Sequence, residues 1–326
     1  MSREVQVRFC ESRGVKLPPA THLAPVSFGF RPKRSAHQAC EAIRVEANRG
    51  ADWVLDADVS NCFGSIDHDA LMALVAKRVS DQKMAKLLRS WLRAGVLADG
   101  VVTDTVTGTP QGSPISPLLA NIALNALDQA WEQNGQQLGM LVRYADDFVV
   151  LCRSEARAIK ARTLVAAVLA DLGLVLHPDK TRIACLIRGR EGFDFLGFHH
   201  HKVESWKRRG HWYLQRWPSV RAMTAIRAKI RDGTDRRFVG WEMAEVVANL
   251  NRVLRGWGNY FRYGNPTRKF AVIDAYVHER LAILASAKHG LQGRNWVTRF
   301  NHQWVTTPRV YRLTGTVKPT TAYASR

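Results

Sequence analysis

Cysteine is scarce in this chain of 326 residues and badly spaced for bonding. Cys10, Cys40, Cys62, Cys152 and Cys185 make an odd number, with no C-x-x-C pair among them. That spacing argues against a disulfide framework and a zinc module, and it points to a reducing compartment. Long apolar runs are missing too. The nearest, TLVAAVLADLGLVLH, is short and carries Asp171, so no membrane span is expected. The first residues, MSREVQVRFCESRG, contain no apolar stretch of the secretory kind, which makes the cytoplasm the expected location. Low-complexity tracts and internal repeats are absent. Acid is also in short supply. The 28 Asp and Glu stand against 48 Lys and Arg, a formal net charge of +20. Such an excess implies a polyanionic partner, with nucleic acid ahead of a membrane surface because the basic residues recur beside Trp and Tyr. The run His199–His201 has no partner at ligand spacing except His211, and it reads as a polar strand end.

The length is enough for two or more domains. Residues 1–27 lack clear periodicity, and KLPPATHLAP reads as an extended or loop segment. A helix is expected from about Ser35. ADWVLDADVSNCF reads as a strand that places Asp56 and Asp58 on one face, opposite Leu55, Ala57 and Val59. A helix follows, with Asp67 as N-cap and Ile66 and Leu71 as a hydrophobic staple. After GTPQGSPISP, the spacing of Ile115, Leu118, Leu119, Ile122 and Ala126 predicts another helix. LVRYADDFVVLC is strand, turn, strand. EARAIKARTLVAAVLADLGL is a helix ending at Gly173. LVLHPDKTRIACL and FDFLGFHH are read as short strands, and ESWKRRGHWYLQRW as a hairpin turning at Arg209-Gly210. Beyond Pro218 the chain turns mostly helical. Leu250, Val253, Leu254, Trp257 and Phe261 form one stripe there, and Arg252, Arg255, Asn259 and Arg262 another. Gly256 and Gly258 cost about 1 kcal/mol each inside a helix, so either the helix breaks or something packs very close. A domain boundary is placed between Gly197 and Pro218.

The adjacent carboxylates Asp146 and Asp147 repel each other at a hairpin tip. A divalent cation relieves that repulsion, and carboxylate oxygens suit Mg²⁺, which keeps waters and bridges to substrate phosphates. A third carboxylate on a neighbouring strand completes a site for two ions. Asp58 is the candidate and Asp56 its competitor. The plain alternative is a solvated turn, since Asp is a turn former.

Three features in a fixed order weigh against that alternative: DADVSNCFGSIDH, GTPQGSPISPLLANIALNALD and YADD. Together they resemble the palm of reverse transcriptases, and more narrowly the reverse transcriptase/maturase proteins encoded by group II introns. FGFRPKRSAHQA, GLVLHPDKTRI and FDFLGF resemble further blocks of that family, and LNRVLRGWGNYFRYG resembles its helical maturase or thumb region. The likeness covers about residues 28 to 312. It implies an α+β fold: a right-hand polymerase palm, with an antiparallel sheet and packed helices, over 28–200, then a mostly α-helical thumb/maturase domain over 201–326. It implies a bacterial RNA-directed DNA polymerase that copies intron RNA from a primer-template with dNTPs and assists splicing. Asp58, Asp146 and Asp147 would be catalytic and, with the Val59 carbonyl, would bind two Mg²⁺ ions. Phe63 would lie under the sugar and favour dNTPs, although a core aromatic fits that position equally. Gln111, Gly112 and Ala145 would shape the nucleotide pocket. Lys180 would assist pyrophosphate departure or else simply face solvent. Leu196 and Gly197 would grip the primer. Arg31, Arg208, Arg209, Arg252, Arg255 and Arg262 would hold RNA, against the plain reading of a solvated basic surface, and Trp206, Trp212, Trp257 and Tyr260 could stack on bases, Trp257 being better placed for the core.

The chain also departs from the family pattern. Residues 1–27 do not resemble the N-terminal fingers blocks, Gly64 replaces an aspartate, and no Cys/His endonuclease segment follows the last residues. These departures leave other readings open: a non-catalytic RNA-binding maturase, a truncated remnant, or a related bacterial reverse transcriptase serving a defence system.

Overall fold

Ser35 decides where the first helix begins. Its hydroxyl accepts from the Gln38 amide at 3.3 Å, capping α1 (Ala36–Asn48). The computed structural model describes residues 24–77, 79–93, 96–98, 101–103, 108, 115–290, 299–300, 304 and 309–318. The chain divides into two units between Arg190 and Glu191, so FDF and the strands that follow it belong to the second.

In the first unit, β1 (Trp53–Ala57) leads through the single turn α2 (Cys62–Ser65) to α3 (His68–Ala76) and α4 (Gln82–Arg93). Asp67 caps α3 as expected, accepting from Ala70 N at 2.7 Å, with Ile66 and Leu71 both buried beside it. The short ribbon β2 (Val96–Ala98) and β3 (Val101–Thr103) precedes α5 (Ser116–Ala130). Then come β4 (Met140–Tyr144), β5 (Asp147–Cys152), α6 (Glu155–Ala170) and β6 (Arg182–Cys185). The main sheet is antiparallel in the order β4-β5-β1-β6. Leu55, Ala57, Phe148, Val150 and Cys152 join one core with the buried sides of α3, α5 and α6. The alternate residues Val54, Val142, Val149 and Leu151 are buried as well, and α1 packs on β4 and β5. A sheet covered on both faces reads as continuous apolar runs, which is why VRYADDFVVLC shows so little alternation. The buried side of α5 is Leu119, Ala120, Ala123, Leu124 and Leu127, and Leu118 is exposed. The expected stripe is therefore rotated, because Asn121 and Asp128 take inward positions.

In the second unit, β7 (Gly192–Phe195), β8 (Phe198–Ser205) and β9 (Arg208–Pro218) form a meander. FDFLGFHH is thus two strands, not one. Leu196 (φ +50°) and Gly197 (φ +78°) make a two-residue turn with both central residues left-handed, the type I′ geometry whose twist suits a hairpin. The next hairpin turns at Trp206-Lys207, not at Arg209-Gly210. Glu204 still faces Trp212, but Ser205 faces Arg208, so Arg209–His211 bulge outward. The left-handed freedom of Gly210 (φ +80°) serves that bulge, where its amide donates to Glu204 Oε1 at 2.7 Å. Three helices follow: α7 (Val220–Gly233), α8 (Met243–Phe261) and α9 (Thr267–Lys288). The helix α8 does not break at its glycines. A methyl at Gly258 would stand 2.5 Å from Leu313 Cδ2, whereas Gly256 faces open space. Among the described residues no helix is long and apolar enough to cross a membrane.

Candidate active site

Tyr144 pairs with Asp147 across the β4–β5 hairpin, leaving Ala145 and Asp146 as its two-residue turn. Ala145 has φ +59°, a left-handed conformation that costs a residue with a Cβ about 1–2 kcal/mol. Asp146 is half-buried and Asp147 exposed. The strand β1 pairs Ala57 with Phe148, and Asp58 and Asp147 are the residues adjoining that pair in their two segments.

Asp58, one residue past β1, and Asp56 within it have different neighbours. The Asp146 carboxyl is pushed up, first by burial and further by the negative charge of Asp58; its own backbone hydrogen bond and the Arg143 guanidinium act the other way. The Cys62 thiol is pushed up to about 12, by burial and then by Asp146. Asp56 instead lies beside Arg182, with Oδ2 3.7 Å from Nε. The Lys180 ammonium sits 3.0 Å from Asp58 Oδ2. Lys180 is therefore at the site, drawn there by Asp58, and it remains largely exposed.

The donor set is chemically right for a hard cation: carboxylate oxygens only, close enough for Asp58 to raise Asp146. It is not a finished cage. Among the described residues no three His, Cys, Asp or Glu side chains converge on one point. Mg²⁺ tolerates this, since it commonly takes one or two carboxylates and fills its shell with water and substrate phosphates.

The remaining candidates are scattered. Val59 is buried and bridged to Leu176. Phe63 is half-buried against the core of the first unit, a position that serves either of its readings. Ala145 is buried in the turn itself. Gln111 and Gly112 lie outside the described residues. Gly108 is described: its amide donates to Ile66 O at 2.8 Å and its carbonyl lies 2.6 Å from His68 Nε2. In the second unit, the Leu196 carbonyl accepts from Tyr260 Oη at 2.9 Å and the Gly197 carbonyl from Ser219 N at 2.9 Å, so that turn is held on both residues. Arg208 and Arg209 are exposed by the hairpin tip, next to Trp206, which is 87% exposed. Arg252 and Arg255 are exposed on α8; Arg262 is half-buried. Arg31 is half-buried, with Nε 3.3 Å from Ser27 Oγ and Nη2 4.0 Å from Asp128 Oδ2.

Sequence reasoning passed over the group beneath the turn: Arg143, Asp128, Asn121, Ser27 and Gly29. The available signal was polar side chains at core positions of two apolar elements.

A family model described as reverse transcriptase (RNA-dependent DNA polymerase) matches residues 4–200, and one described as group II intron, maturase-specific domain matches residues 223–303. The "Uncharacterized 91 kDa protein in cob intron" of Schizosaccharomyces pombe is 27% identical over 323 residues, covering 77% of this chain and 39% of that protein. The "Group II intron-encoded protein LtrA" of Lactococcus lactis subsp. cremoris is 45% identical over 104 residues, 32% of this chain and 17% of that protein. "Protein YkfC" of Escherichia coli is 32% identical over 209 residues, 53% of this chain and 54% of that protein. The chain thus spans between 17% and 54% of the length of these relatives.

Proposed function

Because the chain belongs to the reverse transcriptase (RNA-dependent DNA polymerase) family, we propose that it copies RNA into DNA at Asp58, Asp146 and Asp147. The observation that carries the reading is the convergence of Asp58 and Asp146 at the ends of neighbouring strands, close enough for one carboxylate to raise the other. The three aspartates, with the Val59 carbonyl, would hold Mg²⁺, two ions being the number such a site takes. When bound, the metal activates the primer 3′-hydroxyl and neutralises charge on the triphosphate.

The chain's own groups have separable tasks. Asp58 and Asp146 supply the negative charge that makes the site selective for cations. Lys180 neutralises Asp58 in the free protein and, being exposed, is free to turn toward a departing pyrophosphate. Phe63 would lie under the incoming sugar, with Gln111, Gly112 and Ala145 around the nucleotide. Leu196 and Gly197, in a turn fixed by Tyr260 and Ser219, would hold the primer end. Arg208, Arg209, Arg252 and Arg255 are exposed cations suited to phosphates, which give affinity and register rather than sequence. The match to a maturase-specific domain supports group II intron RNA as the template and splicing assistance as a second role.

A second reading, an RNA-binding maturase without polymerase activity, is favoured by two observations: Asp58 is engaged by Lys180, and among the described residues no three acidic or metal-binding side chains converge. Primer extension on an RNA template with dNTPs and Mg²⁺ separates the two. The polymerase reading expects extension by the wild type and none by Asp146→Asn that still binds RNA. Salt-sensitive RNA binding without incorporation by either protein would leave the second reading.

A further inference from the structure

We propose that Arg143 is a positioning residue for the Ala145–Asp146 turn, setting the two carboxylates in place before any ligand arrives. Its guanidinium is fully buried and has five N–H donors. All five find acceptors. Nε and Nη2 grip Asp128 at 2.8 and 2.5 Å. Nη2 also donates to Ser27 Oγ at 2.9 Å, and Nη1 donates to Asn121 Oδ1 at 3.1 Å and to the Ala145 carbonyl at 2.8 Å. The last bond ends on the one residue of the hairpin that holds a left-handed conformation without being glycine.

A second support reaches the same residue from the other side. Asn121 Nδ2 donates to the Gly29 carbonyl at 3.0 Å, holding Gly29 against the turn. A methyl at Gly29 would stand 2.2 Å from Ala145 N and 2.8 Å from Tyr144 C. Backbone therefore touches backbone there, and Ala145 is pinned between Gly29 and the guanidinium.

Stability alone does not explain the arrangement. A buried ion pair is commonly matched or exceeded by apolar side chains of equal volume. Such a replacement fills the space but cannot donate to the Ala145 carbonyl. The pair's distinctive work is thus directional: Asp128 fixes the fork of Arg143, and the fork fixes the turn. Only the catalytic consequence rests on the proposed role of Asp146 and Asp147; the mechanical claim stands apart from it.

The test is amide hydrogen exchange on the full metal-free chain, comparing Arg143→Met/Asp128→Leu with the wild type. The double change avoids leaving a lone buried charge. We expect exchange across residues 141–148 to rise at least tenfold while α6 stays unchanged, and the Mg²⁺ concentration for half-maximal extension to rise with RNA affinity intact. Unchanged exchange at the turn in a folded double variant overturns the proposal. If that variant does not fold, Arg143→Lys carries the test, since it keeps a cation for Asp128 but lacks the fork that also reaches the Ala145 carbonyl: faster exchange at the turn supports positioning and unchanged exchange refutes it. Faster exchange at the turn in a chain whose wild type extends no primer would retain the positioning and reject the polymerase reading.

Discussion

His200 should make the second unit sensitive to acid. Its ring is fully buried, stacked on Phe193 with centroids 5.0 Å apart, and neither ring nitrogen has a hydrogen-bond partner among the described residues. Burial holds its pKa well below the usual value, and the positive charge of Arg216, its register partner on β9, adds to the effect, followed by His199. Lys202, further along the same strand face, is buried too. The sign follows from linkage. The unfolded chain takes up a proton near pH 6.5 and the folded chain does not, so stability present above that pH is lost as pH falls below it. While the folded ring stays neutral, each pH unit below 6.5 costs on the order of 1 kcal/mol. Other groups titrate in the same range, so the informative quantity is the difference from His200→Phe, which keeps a ring of similar size. In denaturant unfolding the variant should gain on the order of 1 kcal/mol over the wild type between pH 7.5 and pH 5.5. A difference that does not change with pH would refute the reasoning, as would a His200 ring proton that titrates near pH 6.5 in the folded chain.

Two further predictions concern α8 and the basic surface. Gly256→Ala should stabilise the chain by about 0.5–1 kcal/mol, because the position faces open space. Gly258→Ala should lower stability by about 1 kcal/mol, because its methyl must displace the fully buried Leu313; thermal unfolding of the two variants checks the contrast. Replacing Arg208 and Arg209 by Ala should weaken RNA binding and reduce the dependence of log affinity on log salt by about 1 per residue, and an unchanged slope would remove the hairpin from the RNA-binding surface.

Local chemistry made part of this fold legible. Ser35 and Asp67 announce helix starts through their own side chains, and the alternation in DADVS sets Asp56 and Asp58 opposite the buried Leu55, Ala57 and Val59. Other features depend on neighbours distant along the chain. Gly210 looked like the turn of a hairpin because glycine permits a left-handed backbone, but a bulge needs the same freedom, and only the register against Glu204 tells the two apart. Leu118 looked buried because it fits the apolar spacing of its helix. Asn121 and Asp128 displaced it, for a reason that lies on β4 in Arg143. The network under the turn joins Ser27, Asn121, Asp128 and Arg143 across up to 116 residues, and a scan for local periodicity does not join such positions.

Counting bound Mn²⁺ by electron paramagnetic resonance, on the full chain with RNA template, DNA primer and a non-hydrolysable dNTP, tests the proposed site most directly. The account predicts two ions per wild-type chain. It predicts fewer in both Asp58→Asn and Asp146→Asn, with RNA still bound. A wild-type chain that binds RNA without Mn²⁺, or a count unchanged by both substitutions, would contradict it.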